Sequence, residues 1–425
     1  MQKREEWKQE RKQAKKQKKT VQSFSWSGSE NAIVLELCGV ARVAPYPAEF
    51  TSNCKHRWIG RRVIEVLADE FNAYSLQYFE QGVELGKLLI NGERFSADYC
   101  FKSHDSLVHH AHRHEPPVRV LNPEHIVHRC EDRLVINKPS SIPVHPCGRY
   151  QYNSIVHILA RKYGVDFAHP VHRLDRLTSG VLVLALNPET ARVITNSIES
   201  REMAKFYLAR VLGEFPKSSA TNESFSVDVP SSIAEIGEEF EISQWIVSNE
   251  PIACLSKKFS IFGVSSENGK PCSTAFRRVN YNGRTSVVLC YPITGRTHQI
   301  RVHLQHLQFP IANDPCYGGK LFIGNTSLES SSADEEQKRL IEDFNNYVDK
   351  TKMPLCPECN QSNQHYVPAN PETQGGLFCS EIWLHALSYS CDQWSFSVPV
   401  PIWAYPAFDD HSYLQDVAYS TLSAL

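Results

Sequence analysis

The sequence contains no long hydrophobic run and no apolar segment near its start. Its longest apolar stretch covers only residues 181–186, whereas a helix that crosses a membrane needs about 20 apolar residues. A secretory signal also requires an apolar core, which the first residues lack. We therefore expect neither a membrane-spanning role nor secretion.

The chain also has no large excess of charge of one sign. It contains 45 Lys and Arg residues and 47 Asp and Glu residues, which gives a net charge of -2. The distribution is uneven: residues 1–19 hold nine basic and three acidic residues. The acidic remainder does not attract phosphate, so contact with nucleic acid would depend on this tail or on a local patch. We predict that residues 1–22 form a basic flexible tail, which either is simply solvated or supports RNA contact or nuclear import.

Cysteine is plentiful but unpatterned, with 13 residues scattered along the chain. This odd count without a secretory signal predicts a reducing compartment and free thiols. Cys356 and Cys359 have the spacing of a zinc knuckle, but no second such pair exists. Four ligands would have to be completed from Cys379, Cys391, His365 and His385. Reduced thiols are favoured over a structural zinc, and we expect no metal at the functional site.

The length of 425 residues predicts two or three folded units. Residues 59–71 show helical spacing, residues 86–92 read as a strand closed by the turn Asn91-Gly92, and residues 98–108 read as another strand. Pro116-Pro117 marks a boundary. His109, His110, His112 and His114 precede it, and we interpret them as surface or RNA-adjacent side chains, with a metal site as the minority alternative.

After residue 118 the sequence alternates between strand and helix patterns. Strands are predicted at 132–139, 205–213, 285–291 and 299–304, and a helix begins at Asn187-Pro188-Glu189. Residues 321–350 hold seven acids and three bases, which indicates a surface insertion at about 322–378. The fold class is therefore predicted as α+β.

The most specific segment is the polar loop that runs into the apolar strand at 181–185. It places Asp175 beside a region of low dielectric, with Arg173 and Arg176 near enough to keep the carboxylate ionised. A lone Asp in a loop is usually a cap or turn residue. The flanking arginines and small polar residues are what favour a functional role here.

This loop resembles the signature of the RluA-type pseudouridine synthases: His172-Arg173-Leu174-Asp175, two residues, then Thr178-Ser179-Gly180 and an apolar strand. Further segments match in order, namely 137–146, 205–213, 294–303, 313–319 and 383–386. The resemblance covers about residues 118–408 without the insertion. Residues 113–118 and the Cys-bearing insertion are most similar to the eukaryotic tRNA-modifying branch of this family.

The resemblance implies that a uridine base is released from its ribose, turned over and rejoined through carbon 5. Asp175 matches the catalytic Asp of the family, as either nucleophile or proton-abstracting base, and Arg301 matches its basic partner. Tyr207 matches the residue that stacks on the flipped uracil and is a candidate for removing the proton from carbon 5. No metal, redox group or nucleotide cofactor is required.

Four further residues are predicted to bind RNA or uracil. Leu384 should wall the pocket, and Arg173 and Arg176 should contact phosphate or fill the gap left by the extruded base. Arg296 lies in the matched segment 294–303. Residues 270–303 hold six Lys and Arg residues and no acid. A local excess of positive charge of this kind is typical of surfaces that bind RNA. Each residue alone could equally be structural, and only their joint order favours the functional interpretation.

The predicted organisation is a basic tail (1–22), a small S-four-like RNA-binding region (23–117), a catalytic domain with a mixed, largely antiparallel sheet (118–410) and a C-terminal tail (411–425). The predicted function is an RNA pseudouridine synthase that acts on tRNA. The alternative is an RNA-binding protein or tRNA chaperone with the same fold. A glycosidase would need two opposed carboxylates, and a base deaminase would need motifs that the sequence lacks.

The remaining expectations concern partners and location. RNA, in particular tRNA, is the expected partner, and the chain is expected to be a monomer. We expect a cytoplasmic protein, with the nucleus as the second choice. Three Glu residues in the tail and its preference for Lys over Arg argue against a mitochondrial presequence.

Overall fold

The computed structural model describes residues 32–37, 39–71, 76–218, 227–238, 240, 243–256, 260–319 and 381–408. The basic tail, the insertion with Cys356 and Cys359, and residues 411–425 lie outside these ranges. Within them, no helix is long and apolar enough to cross a membrane. The same part of the chain contains no cluster of three or more His, Cys, Asp or Glu side chains that could hold a metal ion.

The N-terminal part combines two helices with a three-stranded antiparallel sheet. Strands β1 (Val34–Leu37) and β2 (Val40–Val43) pair with each other, and β3 (Tyr46–Asn53) begins the sheet. Helices α1 (Val63–Glu70) and α2 (Leu76–Glu84) follow, and β4 (Leu88–Ile90) and β5 (Ser106–Arg113) complete the strand order β3-β5-β4. The predicted helix is confirmed at α1.

The Asn91-Gly92 turn is also confirmed, since both residues have positive φ, 54° and 82°, as the favoured two-residue hairpin turn requires. The strand predicted at 98–108 is wrong in its bounds, because β5 begins only at Ser106. The preceding residues form a turn in which the buried Asp105 carboxylate accepts hydrogen bonds from the Lys102 amide, the Tyr99 hydroxyl and the Asn91 side chain. These bonds satisfy backbone and side-chain groups locally, so the strand cannot start earlier.

The four histidines before the boundary do not share one environment. His110 is exposed, as predicted, but His109 and His112 are buried. Nε2 of His109 lies 3.1 Å from the Tyr78 hydroxyl, and Nδ1 of His112 lies 3.2 Å from Nε2 of His114. The surface interpretation is therefore wrong for His109 and His112, which pack inside the N-terminal part.

Glu115 joins the N-terminal part to the part of the chain that begins at residue 118. Its carboxylate is 7% exposed, accepts the backbone N–H groups of Gln151, Tyr152 and Asn153, and accepts the hydroxyl of Tyr46. Such a ring of donors satisfies a buried carboxylate almost completely. The two parts are thus fixed to each other by hydrogen bonds at the boundary.

In the described part of the chain after residue 118, ten strands form one mixed sheet. In chain order it contains β7 (Ile126–Arg129), β8 (Arg133–Lys138), β9 (His169–Pro170), β10 (Ser179–Ala185), β11 (Ala204–Leu212), β12 (Ile246–Ser248), β15 (Thr274–Tyr281), β16 (Thr285–Pro292), β17 (Leu384–Cys391) and β18 (Trp394–Ser397). Strand β6 (Val118–Arg119) pairs with β2, and β13 (Ile252–Ser256) with β14 (Ile261–Val264). The helices are α3 (Ile155–Tyr163), α4 (Pro188–Glu199) and α5 (Gln299–His306).

The main path of the sheet runs in the order β12-β15-β16-β11-β17-β10-β8-β7. All its pairs are antiparallel except β10 with β17, which is parallel. The predicted mixed, largely antiparallel sheet and the α+β class are therefore confirmed. The strand at 205–213 and the helix start at Asn187 are confirmed too, with the Asn187 side chain accepting the Thr190 amide.

Residues 299–304 were predicted as a strand, and this prediction is wrong, because they form helix α5. Ile300, Val302 and Leu304 alternate with polar residues as in a half-buried strand. In the fold, Ile300 and Leu304 enter the main core, whereas Val302 packs beneath the β13–β14 hairpin. A helix covered on several sides loses the one-sided pattern that identifies helices from sequence.

Two hydrophobic clusters lie along the sheet, one around β11, β15, β16 and α5, and the other around β8, β10, α3 and α4. The loop between β9 and β10 crosses from one to the other, because Leu174 is buried in the second cluster and Leu177 in the first. Tyr207 contacts both. Burial of the two leucines fixes the backbone on each side of Asp175.

Lys138, at the end of β8, is fully buried beneath this loop. Its ammonium donates to the carbonyl oxygens of Pro139, Ile142 and Arg176, at 2.8, 2.9 and 3.3 Å. The last of these bonds ties β8 to the residue after Asp175. Burial, reinforced by the charge of Arg176, lowers the pKa of Lys138 to about 7.

Gly180 is required by the parallel pairing of β10 with β17. It has a φ of +110°, and a Cβ atom there would overlap the backbone carbonyl of Ala386.

We expect Gly180→Ala to lower the melting temperature more than Gly283→Ala, a matched control with a φ of +89° and nothing within 4 Å of the added carbon. The control carries only backbone strain, roughly 1–2 kcal/mol. Equal losses in thermal unfolding would contradict this account.

The lowered pKa of Lys138 predicts a specific dependence of stability on pH. Between about 7 and the ordinary value of 10.5, the unfolded chain binds a proton that the folded chain does not, so this site favours folding increasingly as the pH rises. We expect the melting temperature of the wild type, relative to Lys138→Met, to increase from pH 7 to pH 9. The contribution of Lys138 to the free energy of unfolding changes by at most about 1.4 kcal/mol for each pH unit. Parallel pH curves for the two proteins would contradict the assignment.

Candidate active site

Asp175 lies at the centre of a group of polar side chains between the two hydrophobic clusters. Its side chain is 21% exposed, and its backbone carbonyl accepts the Thr178 amide at 3.1 Å, which closes a tight turn before β10. The carboxylate therefore points into a partly covered site while its backbone is held by burial and hydrogen bonding.

Arg301 approaches Asp175 from helix α5. Its Nη1 donates to Asp175 Oδ2 at 3.3 Å, and its Nε and Nη2 donate to the two oxygens of Asp314 at 2.6 and 2.9 Å. Arg301 and Asp314 are 4% and 0% exposed. Burial opposes the charge of Arg301, but the hydrogen bonds and charge of Asp314 outweigh it and raise its pKa. One fixed guanidinium thus serves two carboxylates.

His298 is the second cationic or hydrogen-bonding group at Asp175. Its Nε2 lies 3.5 Å from Asp175 Oδ2, and its Nδ1 lies 2.7 Å from the Tyr317 hydroxyl. Burial lowers the pKa of His298, although the charge of Asp175 opposes this effect. Its backbone has a φ of +56°, in the left-handed region that residues other than glycine seldom adopt.

Tyr207 enters the site from β11, at a bulge that shifts the register between Phe206 and Tyr207. Its hydroxyl forms a hydrogen bond with the hydroxyl of the buried Tyr389 on β17. Burial raises the pKa of Tyr207 to about 12, and the nearby charge of Asp175 adds to the effect. Tyr207 is therefore a neutral phenol near pH 7 and lies within electrostatic reach of Asp175.

The other predicted residues surround this centre in different ways. Arg173 is exposed, and its charge acts on His298. The guanidinium of Arg176 lies 5.6 Å from the centre of the Tyr150 ring. Arg296 is exposed and donates to the Pro271 carbonyl at 3.3 Å. The structure thus places Arg173 and Arg176 on the same loop as Asp175, and Arg296 in the turn before α5.

Leu384 begins strand β17 and is 4% exposed. It belongs to the same hydrophobic cluster as Leu177, and its Cα pairs with that of Ala209 on β11, two residues from Tyr207. The following residue, His385, has its Nδ1 2.8 Å from the Ser179 hydroxyl on β10. Leu384 therefore lies in the core between the strands that carry Tyr207 and the Asp175 loop.

The basic residues of 270–303 do not form one exposed patch. Arg278 and Arg301 are buried, and Arg277 stacks on Phe240 with its guanidinium 3.7 Å from the ring centre. Lys270 and Arg296 are exposed near the turn before α5, whereas Arg284 is exposed in the turn between β15 and β16. The simple charge count therefore overstated the surface that is available to phosphate.

Several residues of the site were not singled out from the sequence. Asp314, His298 and Tyr317 lay inside quoted motifs without an assigned role, and Lys138 and Tyr389 had none either. The available signal was position alone: His298 lies in the matched segment that supplies Arg301, and Asp314 and Tyr317 lie in the next matched segment. Only the fold shows that the turn before α5 brings His298 to Asp175, and that the turn after α5 brings Asp314 to Arg301.

Comparison with known proteins identifies one family for this chain. A family model described as RNA pseudouridylate synthase matches residues 132–306. Pseudouridylate synthase RPUSD2 of Mus musculus is 42% identical over 280 residues, which cover 66% of this chain and 46% of that protein. The matched region therefore spans less than half of that relative.

Two yeast proteins match over more of their length. The tRNA pseudouridine(31) synthase of Saccharomyces cerevisiae is 34% identical over 404 residues, which cover 86% of this chain and 96% of that protein. The mitochondrial tRNA pseudouridine(32) synthase of the same yeast is 30% identical over 389 residues, which cover 85% and 76%. The chain belongs to the RNA pseudouridine synthase family, of the RluA type.

Proposed function

We propose that this chain is an RNA pseudouridine synthase that isomerises specific uridines in tRNA. The observation that carries the proposal is the position of Asp175, which lies between two cores with its carboxylate 3.3 Å from a guanidinium that Asp314 holds in place. The two yeast relatives are named for positions 31 and 32 of tRNA, which supports tRNA as the substrate class.

The reaction breaks the bond between uracil nitrogen 1 and the ribose, and forms a bond from carbon 5 to the same sugar carbon. Asp175 acts on the sugar or the base as an ionised carboxylate, and Arg301 keeps that charge oriented. Proton loss from carbon 5 and proton gain at nitrogen 1 complete the isomerisation. No electrons are gained or lost overall, so acid–base and electrostatic groups of this kind suffice.

Tyr207 contributes the face of its ring beneath the flipped uracil. Because its phenol is neutral near pH 7, its hydroxyl acts through the hydrogen bond with Tyr389 and not as a free phenolate. Leu384 walls the pocket on the side of the core. This arrangement holds a neutral, planar base between an aromatic ring and an aliphatic side chain.

Arg173, Arg176 and Arg296 provide the positive charge outside the pocket. We propose that Arg173 and Arg176 contact phosphate or fill the space left by the extruded base, and that Arg296, with Lys270, extends this surface. The S-four-like region would hold the RNA outside the cleft, and the chain would act as a monomer. We propose a cytoplasmic location, with the nucleus second; one relative is named as mitochondrial.

The proposal is tested by the release of tritium from tRNA labelled at uracil carbon 5, with tRNA taken from a strain that lacks this protein. We expect release by the wild type, and a loss on the order of 1,000-fold or more in Asp175→Asn, because removal of a central reacting group has effects of this size. Asp166→Asn makes the same chemical change at an exposed loop position and should react like the wild type.

Failure of the wild type to release tritium, with tRNA binding retained, would favour a chaperone role. Full activity of Asp175→Asn would refute the assignment of Asp175 while leaving the reaction in place. The two outcomes are distinguishable because binding and release are measured on the same tRNA.

A further inference from the structure

We propose that His298 is a positioning residue for the reaction, and that it directs its Nε2–H group at the Asp175 carboxylate. This inference rests on the proposed function, because it concerns how Asp175 is held for catalysis. His298 lies in the matched segment that supplies Arg301, and the sequence alone assigned it no role.

The Asp175 carboxylate receives only one of the hydrogen bonds that Arg301 donates, so it can accept a second donor. Two carboxylates, Asp175 and Asp314, share the single guanidinium of Arg301, and Asp314 takes two of its three nitrogens at 2.6 and 2.9 Å. Asp175 receives only the third, at 3.3 Å to Oδ2. A partly buried carboxylate is stabilised by several donors, and His298 is the other basic side chain with a nitrogen within 4 Å of Oδ2 in the described part of the chain.

The hydrogen-bond partners on both sides of the ring indicate the same tautomer. The Tyr317 hydroxyl oxygen accepts the Phe262 backbone N–H at 3.1 Å, so its own hydrogen is available to donate to His298 Nδ1 at 2.7 Å. Nδ1 is then the acceptor, and the hydrogen of a neutral ring lies on Nε2, facing Asp175. A chain of donors thus runs from Phe262 through Tyr317 and His298 to the carboxylate.

The separation of 3.5 Å between Nε2 and Oδ2 is longer than an ordinary hydrogen bond. Catalytic hydrogen bonds are often long in the absence of substrate and shorten in the complex. A small movement of either side chain when RNA occupies the pocket would bring the two atoms together. The ring itself is held from two sides, since Phe262 and Tyr317 contact it edge-on with centroids 5.4 and 5.6 Å away.

The backbone at His298 is strained in a way that fits this role. It has a φ of +56° immediately before α5. Strained residues of this kind persist where surrounding contacts hold the backbone in place. The side chain of Gln299 provides that support, because it accepts the Arg296 amide and donates to the Ser273 carbonyl, both at 2.9 Å. The turn therefore presents the ring of His298 to Asp175.

Two substitutions distinguish the effect of losing the Nε2 donor from the effect of changing the backbone conformation at His298. Asn tolerates the left-handed region but is too short to reach the position of Nε2, whereas the amide nitrogen of Gln reaches it. We expect His298→Asn to lower kcat by about 10-fold to 100-fold, with the KM for tRNA within about twofold. This loss is smaller than that of an oxyanion-hole donor, roughly 100-fold to 1,000-fold, because Arg301 still donates to Asp175. His298→Gln should recover most of the loss.

Wild-type kcat in His298→Asn would overturn the inference, and so would a loss of kcat that His298→Gln does not relieve. A rise in KM with unchanged kcat would assign His298 to RNA binding instead and equally overturn it. None of these outcomes changes the tritium release that is measured for the wild type, so the proposed function is tested separately.

Tyr317→Phe provides a second kinetic test, because it keeps the ring that lies 4.7 Å from the Arg301 guanidinium and removes only the hydroxyl. We expect a smaller loss of kcat in this variant, and no additional loss when it is combined with His298→Asn. Effects that simply multiply would mean that the two residues act independently, and would overturn the donor chain.

The tautomer can be measured without any activity assay, by nitrogen NMR of the protein labelled at histidine. We expect His298 as the Nε2–H tautomer. His172 is an internal reference, since its Nε2 accepts the Val183 amide at 3.0 Å and it must carry hydrogen on Nδ1 when neutral. Assignment uses His298→Gln and His172→Gln. The Nδ1–H form at His298 would refute the proposed donor direction.

Discussion

A single buried guanidinium determines how the site is built. Arg301 is almost fully enclosed, and an enclosed charge is tolerated only when it is paired and its donors are satisfied. Asp314 supplies the pairing through two hydrogen bonds, and this fixes the plane of the guanidinium so that its remaining nitrogen faces Asp175. The direction of the contact to Asp175 is thus set by a residue that has no access to solvent.

The rest of the fold brings these groups together from distant parts of the sequence. Leu174 and Leu177 anchor the Asp175 loop in separate cores, and Lys138 ties that loop to β8. Helix α5 follows β16 and carries Arg301, and the turn with Asp314 follows α5. The close parallel pairing of β10 with β17 at Gly180 holds the loop beside the strand that bears Tyr389. The Asp175 carboxylate is therefore positioned by packing on one side and by charge on the other.

The sequence predicted the fold class, the Asp175 loop, β11 and the start of α4, because each has a local pattern or a specific motif. It failed at α5, where burial on several sides makes a helix alternate like a strand, and it misjudged the basic run at 270–303, since buried and exposed arginines look alike in a sequence. The roles of Asp314 and His298 could not be inferred, because they depend on contacts between segments. Asp175 and Arg301 were predicted to be partners, and the structure brings them to 3.3 Å.

The most direct test of this account is the single-turnover rate of pseudouridine formation by Arg301→Lys. Lysine keeps the charge but cannot hold Asp314 through two bonds while it also contacts Asp175. The account predicts a rate on the order of 100-fold below that of the wild type, with tRNA affinity within about twofold. A wild-type rate in this variant would show that the geometry of the guanidinium is not what positions Asp175, and would contradict the central claim.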